Sequence, residues 1–263
     1  MKTVCIVQAR RKSQRLPDKV LAPLAGMPAL AHTLARCGRI RNVDQVVLAG
    51  IDDPFEEPLF EIAKGMGVAY VRGSADDLVS RYKLAADTHG ADIVMRVTAD
   101  CPLLDSNVCE LVVNERARQQ ADYATAVGWP HGLDCEVFTK ALLDRIDAST
   151  TDSADREHVT LWVNGATDIK KLPVRPDQKV TAANPDMPLK YRWVLDYPED
   201  YDFLQKIFAV PEVASGSATW QDVVKILDKT PEIQALNAGL AQHWHDTKMD
   251  LIRHSIKQNK KSG

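Results

Sequence analysis

Over its first 120 residues the chain alternates short, continuously apolar runs with longer helix-forming stretches. Few folds accommodate that rhythm. Residues 4–7 and Gln45–Ile51 (QVVLAGI) lack the in–out alternation of a half-wet strand, so both read as strands buried on two faces. VAYVRG (68–73) and ADIVMRVTAD (91–100) are further strands, the latter running out at Thr98 and Asp100. Between them PALAHTLARCGRI, DPFEEPLFEIAKGMG, ADDLVSRYKLAADTHG and SNVCELVVNERARQQ read as helices. Asp53 is a cap for the second, and Gly67 and Gly90 are stops. This β-α-β-α order predicts an α/β fold, a mostly parallel central sheet with helices on both faces.

Beyond residue 120 the pattern is mixed. DYATAV, CEVFT and KYRWVL read as strands, and residues 165–190 are polar and proline-bearing, an excursion from the sheet. The end is helical: PEDYDFLQKIF, TWQDVVKIL and PEIQALNAGLAQHWHDTKMDLIRH, with a frayed KQNKKSG tail. No internal repeat or linker interrupts the chain. Its 263 residues suit one large α/β domain or two small ones, and 45% apolar residues suffice for a core.

A net charge of -3 gives no whole-molecule attraction to nucleic acid or membrane. Five cysteines without a CxxC pair argue against a disulfide framework or a structural zinc and for a reducing compartment. No apolar stretch is long enough to cross a bilayer, and no secretory signal pattern opens the chain. The expected location is the cytoplasm.

Against that background five cations crowd the segment after the first strand: Arg10, Arg11, Lys12, Arg15 and Lys19. Ligands of parallel α/β sheets bind at the carboxyl ends of the strands, so the cluster belongs on that rim. Backbone amides with Arg forks and a Lys point charge make a polyphosphate site. A solvated charged loop is the plainer alternative, but Pro17 and Pro23 stiffen this one. Neither GxxxxGK[ST] nor GxGxxG occurs, so the design is neither a Walker loop nor a dinucleotide fingerprint.

Nucleotidyl chemistry also needs magnesium, which takes carboxylates and phosphate oxygens. Asp100 ends a strand on the same rim, and Asp196 follows KYRWVL. Each has a second reading, Asp100 as a turn residue and Asp196 as an N-cap. Arg96, near a buried strand end, needs a partner and is a site residue or half of a structural ion pair. Asp134 and Glu136 alternate with apolar neighbours and share one face. Arg156, Glu157 and His158 open a helix-like run. Arg156 could hold an acceptor's carboxylate or phosphate, and His158 reads better as a core or capping histidine. His243 and His245 lack the i, i+4 spacing of a helical metal pair, and Trp244 between them packs its helix.

The segment QARRKSQRLPDKVLAPLAGMPALAHTLAR resembles the signature of the cytidylyltransferases that activate sugars and sugar acids. Its R-x-x-S-x-R-L-P-x-K spacing falls on Arg10, Ser13, Arg15, Leu16, Pro17 and Lys19. VVLAGIDDP, YVRGSADDLVSRY, ADIVMRVTADCPLLD, GLDCEVF, REHVT and LDYPED follow in order, closest to the spore-coat-polysaccharide (SpsF-like) branch, over residues 3–235. The resemblance implies a Rossmann-like, three-layer nucleotide-diphospho-sugar transferase fold. It divides the chain into a transferase domain, 1–229, with an acceptor or dimerisation excursion around 130–190, and a helical extension, 230–263. It implies Mg2+-dependent transfer of CMP from CTP to a small sugar-like acceptor, by a homodimer.

Residue by residue, it places Lys19, Arg10, Arg15 and Asp100 in catalysis. Ala9, Ser13, Arg72, Ser74 and Thr98 join the nucleotide contacts, with the RGS turn near the base. Arg96, Asp134, Glu136, Arg156 and Glu157 fall to the acceptor, and Asp100 and Asp196 to the metal. A turn capped by Ser74 is the plainer reading there. One departure stands out: where the family loop has glycine before the serine, this chain has Lys12, costing about 1 kcal/mol if φ is positive. Three rivals remain: a relative using another nucleotide or a phosphorylated or phosphonate acceptor, a binder that has lost catalysis, and a nucleic-acid binder. The last lacks any accompanying motif.

Overall fold

The structure, a computed structural model, describes the backbone of residues 1–262 and side chains through residue 258. β1 (Thr3–Gln8) leads through a loop and a 3-10 turn (Lys19–Leu21) into a hairpin of β2 (Pro23–Leu24) and β3 (Met27–Pro28). α1 (Ala29–Cys37), β4 (Gln45–Ile51), α2 (Glu57–Gly65), β5 (Ala69–Gly73), α3 (Leu78–Thr88), β6 (Ile93–Thr98) and α4 (Ser106–Gln119) complete the alternating half. Then come β7 (Tyr123–Ala126), β8 (Glu136–Thr139), α5 (Lys140–Ser149), α6 (Ser153–His158), β9 (Lys171–Val174), α7 (Gln178–Ala183) and α8 (Met187–Lys190). The chain closes with α9 (Pro198–Phe208), α10 (Pro211–Ala214), α11 (Trp220–Lys229), α12 (Pro231–Gln234) and α13 (Leu240–Ser262).

Seven strands form one sheet in the order β5-β4-β1-β6-β8-β7-β9. β5, β4, β1 and β6 are parallel, β8 runs against both its neighbours, and β9 is parallel to β7. The alternation of β1 divides the core. Cys5 and Val7 face a layer that includes α1, α2, α4, α9 and α11, while Val4 and Ile6 face α3, α5 and the turn Leu161–Asn164. Burial on both faces is why these strands are apolar throughout.

Two expectations from the sequence need correction. In KYRWVL, Lys190 ends α8 and residues 191–195 are buried but form no strand, only an isolated bridge between His131 and Arg192. Their partners are loop backbone rather than a ladder. Residues 165–190 do not simply leave the sheet: β9 lies within them, on the edge beside β7, where Pro173 is tolerated. The helical tail breaks between α12 and α13, and the KQNKKSG segment continues α13 to Ser262, Gly263 lying outside the described residues. α13 packs on α6, α8 and the turn Leu161–Asn164. Among the described residues no helix is long and apolar enough to cross a membrane.

Candidate active site

From β1 the chain steps outward to β4 and β5, then crosses back to β6 on the other side of β1. The reversal opens a crevice at the carboxyl ends of β1 and β6, where open α/β sheets bind ligands. The cationic loop leaves β1 there, and Asp100 follows β6.

The five cations have different jobs. Arg11 organises the loop: its amide donates to buried Glu56 (2.9 Å) and its guanidinium clasps Asp18 (2.8 and 3.2 Å). Asp18 sits in the left-handed region at φ 56°, which Asp tolerates, and this turn sets the direction of Lys19. Lys12 is exposed beside Asp53 (3.9 Å) and is not among the positive-φ residues. The lysine therefore strains nothing, and the inactive-binder reading loses its one support. Arg10 reaches Glu157 (3.4 Å), both side chains more than half exposed, a pair that contributes little and rearranges easily.

Arg15 and Lys19 turn inward. The Lys19 ammonium lies between two carboxylates, 2.5 Å from Asp100 Oδ2 and 2.5 Å from Asp196 Oδ1. Arg15 Nη2 is 3.1 Å from Asp196 Oδ2, and its guanidinium lies over the Tyr197 ring. Burial opposes the charge on Lys19, but Asp100 and Asp196 outweigh it and raise its pKa. Burial likewise pushes the Asp100 carboxyl up, yet Lys19 prevails and holds it at about 2. Lys19 and Asp100 are therefore both charged at neutral pH.

Asp196 reaches the crevice because residues 191–195 are pinned on both sides. Trp193 donates to the His131 carbonyl (2.7 Å), His131 to that of Tyr191 (2.9 Å), and Leu195 to that of Asp100 (2.9 Å). Gly132 makes the approach possible: at φ +110° a Cβ would lie 2.7 Å from the Trp193 carbonyl carbon. The N-cap reading of Asp196 does not hold. Asp200 Oδ2 accepts from the amides of Asp196 and Tyr197 (3.0 Å each), leaving the Asp196 carboxylate for Lys19. Asp200 also pairs bidentately with Arg192 (2.8 and 2.9 Å). Neither of these buried residues was singled out from the sequence. D-x-x-x-D with Arg four before the first Asp was the available sign.

Two hard carboxylates converging on one cation match what Mg2+ takes from proteins that also offer it nucleotide phosphates. Among the described residues no group of three or more acidic, His or Cys side chains forms a self-sufficient metal cage. The donors thus fit an ion shared with a nucleotide.

The other expected residues separate. Ala9 is buried with its amide on the Ala49 carbonyl (3.2 Å), and Thr98 Oγ1 meets Cys101 Sγ (3.2 Å). Ser13 Oγ lies 3.4 Å from the Leu16 amide. Arg72 pairs with Glu57 (2.8 Å) over the Phe60 ring. Ser74 accepts from the amides of Asp76 and Asp77, but the cap of α3 is Asp77. Arg96 and Glu136 are register partners on β6 and β8 and pair at 2.5 Å. Gln8 joins Arg96, while Tyr123 and Thr160 donate to Glu136. Arg156 clasps Asp77 and Asp147, tying α6 to α3 and α5. Asp134 accepts from the Gly132 amide (3.0 Å) and lies 3.8 Å from His131. Trp244 stacks on His131 with ring centroids 3.5 Å apart, and His158 is half-buried.

A phosphate-seeking loop facing paired carboxylates across the switch point of a parallel sheet is the working layout of a nucleotidyltransferase. The chain belongs to the cytidylyltransferase family, whose model matches residues 4–229. It is 25% identical over 238 residues to the spore coat polysaccharide biosynthesis protein SpsF of Bacillus subtilis, covering 86% of this chain and 94% of that protein. It is 32% identical over 123 residues to the 3-deoxy-manno-octulosonate cytidylyltransferase of Geobacter sulfurreducens, covering 46% of this chain and 48% of that one. A solved cytidylyltransferase from Leptospira borgpetersenii superposes with a TM-score of 0.81 at 31% identity, over 89% of this chain and 96% of that one. The fold is that of the nucleotide-diphospho-sugar transferases, and the protein is an enzyme of nucleotidyl transfer.

Proposed function

We propose that the enzyme transfers CMP from CTP to a sugar, sugar acid or related small polar acceptor, with Mg2+, for surface polysaccharide synthesis. The convergence of Lys19 and Arg15 on Asp100 and Asp196 carries this reading. The names of the Bacillus and Geobacter relatives support the polysaccharide role and the sugar-acid acceptor class. An acceptor hydroxyl oxygen bonds to the α-phosphorus, the bond to the bridging oxygen breaks, pyrophosphate leaves and the hydroxyl proton passes to solvent. Catalysis is positioning and charge neutralisation. Arg10, Arg15 and Lys19 neutralise the triphosphate, with Lys19 nearest the leaving pyrophosphate, and Ser13 adds a hydroxyl or amide. A divalent ion held by Asp100 and Asp196 would draw charge from the α-phosphoryl group and the incoming oxygen. Asp134 and Glu157, less committed than Arg96, Glu136 and Arg156, are the acidic residues best free to meet an acceptor. A homodimer is part of the proposal, and light scattering against the 29.2 kDa chain mass tests it.

Pyrophosphate release tests the reaction, with CTP, Mg2+ and a panel of sugar acids, sugars and phosphorylated polyols. Release with one acceptor, lost in Asp100→Asn and Asp196→Asn, is the expected result. Absence of CTP binding would remove the cytidylyl reading. Stronger turnover with UTP or GTP would move the enzyme to another donor.

A further inference from the structure

The family match ends at residue 229, but the support of Asp196 does not. Asn237, 2% exposed, lies in the connection between α12 and α13. Its Nδ2 donates to the Arg192 carbonyl (2.9 Å) and to Asp200 Oδ1 (2.9 Å). Both neighbours are acceptors, so the amide nitrogen must face them and the contact is directional. The Asp200 carboxylate thereby collects five donors: two from Arg192, one from Asn237, and the amides of Asp196 and Tyr197. Arg192 is 1% exposed and Asp200 fully buried, and such an ion pair holds its geometry only when its remaining hydrogen-bonding capacity is filled. The same Arg192 lies 3.7 Å from Asp196 Oδ2.

We infer that Asn237, from the segment beyond the family match, is a positioning residue for the metal-binding carboxylate of Asp196, acting through Asp200 and Arg192. This rests on the proposal that Asp196 holds the ion. Asn237 itself touches no reacting group. Without its amide, the Arg192 carbonyl and one Asp200 oxygen lose a buried donor, and the clasp on the Asp196 backbone loosens. Partners that orient metal ligands typically change metal affinity about 10–100-fold when lost.

The test is a Mn2+ titration of the full-length protein, followed by electron paramagnetic resonance at saturating CTP, beside CTP binding measured without metal. In Asn237→Leu the Mn2+ affinity should fall at least about tenfold, with metal-free CTP affinity within about twofold of wild type. Asn237→Ser, which keeps one donor, should recover part of the loss and serves where the leucine variant does not fold. Unchanged Mn2+ affinity in the folded variants overturns the inference. Mn2+ and CTP affinities falling together also overturn it, because they report general loosening. Asp196→Asn separates the two levels: if that variant keeps wild-type Mn2+ affinity, the metal reading itself fails.

Discussion

Lys19 bridges two carboxylates, Asp100 and Asp196, and Arg15 supplies the second positive charge on Asp196. Lys19→Met should lower the rate of pyrophosphate release by about 10²–10³-fold, the usual loss when a preorganised charge is removed. A loss under threefold in the folded variant would take Lys19 out of the chemistry. Glu136 is a contrasting case, since its neighbours on Arg96, Tyr123 and Thr160 leave it little to offer a ligand. Glu136→Gln should destabilise the fold by about 3–5 kcal/mol in denaturant melts by leaving Arg96 uncompensated. Unchanged stability with a raised acceptor KM would return Glu136 to the acceptor site. Lys19 and Asp100 could be found in the sequence because each lies in the segment that follows a buried strand, and strand ends share a rim. Asn237 could not, because its meaning lies in a contact with Asp200, 37 positions away.

At the level of elements, β4 matches the apolar run QVVLAGI and α9 the bounds of PEDYDFLQKIF from end to end. Residues 191–195 do not, because burial makes any extended segment apolar, whether it joins a ladder or lies against a loop. That segment depends on Gly132. Gly132→Ala should lose about 1–3 kcal/mol from backbone strain alone, and more from the contact with Trp193, while Mn2+ binding weakens as Asp196 shifts. Full Mn2+ affinity in this variant would contradict the pinning described above. The docking of α13 adds a pH dependence. Burial depresses the His131 pKa from 6.5 to about 4, with Asp134 opposing and Arg192 and Lys248 assisting. Between those values the unfolded chain binds the extra proton and the folded one resists it, so stability is full above 6.5 and falls as pH drops towards 4. The loss is up to about 3 kcal/mol. His131→Phe should flatten the curve of melting temperature against pH in that window, and an unchanged slope would assign it to other groups.

For the whole molecule, the parallel half of the sheet was legible in the βαβ rhythm. The reversed strand β8 was not, since four residues of CEVFT carry no sign of direction. CTP with Mg2+ at a hundred times its Kd should stabilise the protein by about 2.7 kcal/mol, and Asp100→Asn should remove the Mg2+-dependent part of the thermal shift. An equal shift in that variant would place the ion elsewhere. The contact between Lys19 and Asp196 joins residues 177 positions apart. A chain emerging from the ribosome therefore presents its basic loop long before the carboxylate that balances it has been synthesised. Domains generally fold as units, so the clasp between these two side chains closes only after Asp196 and the helix α9 that pins its backbone have been synthesised.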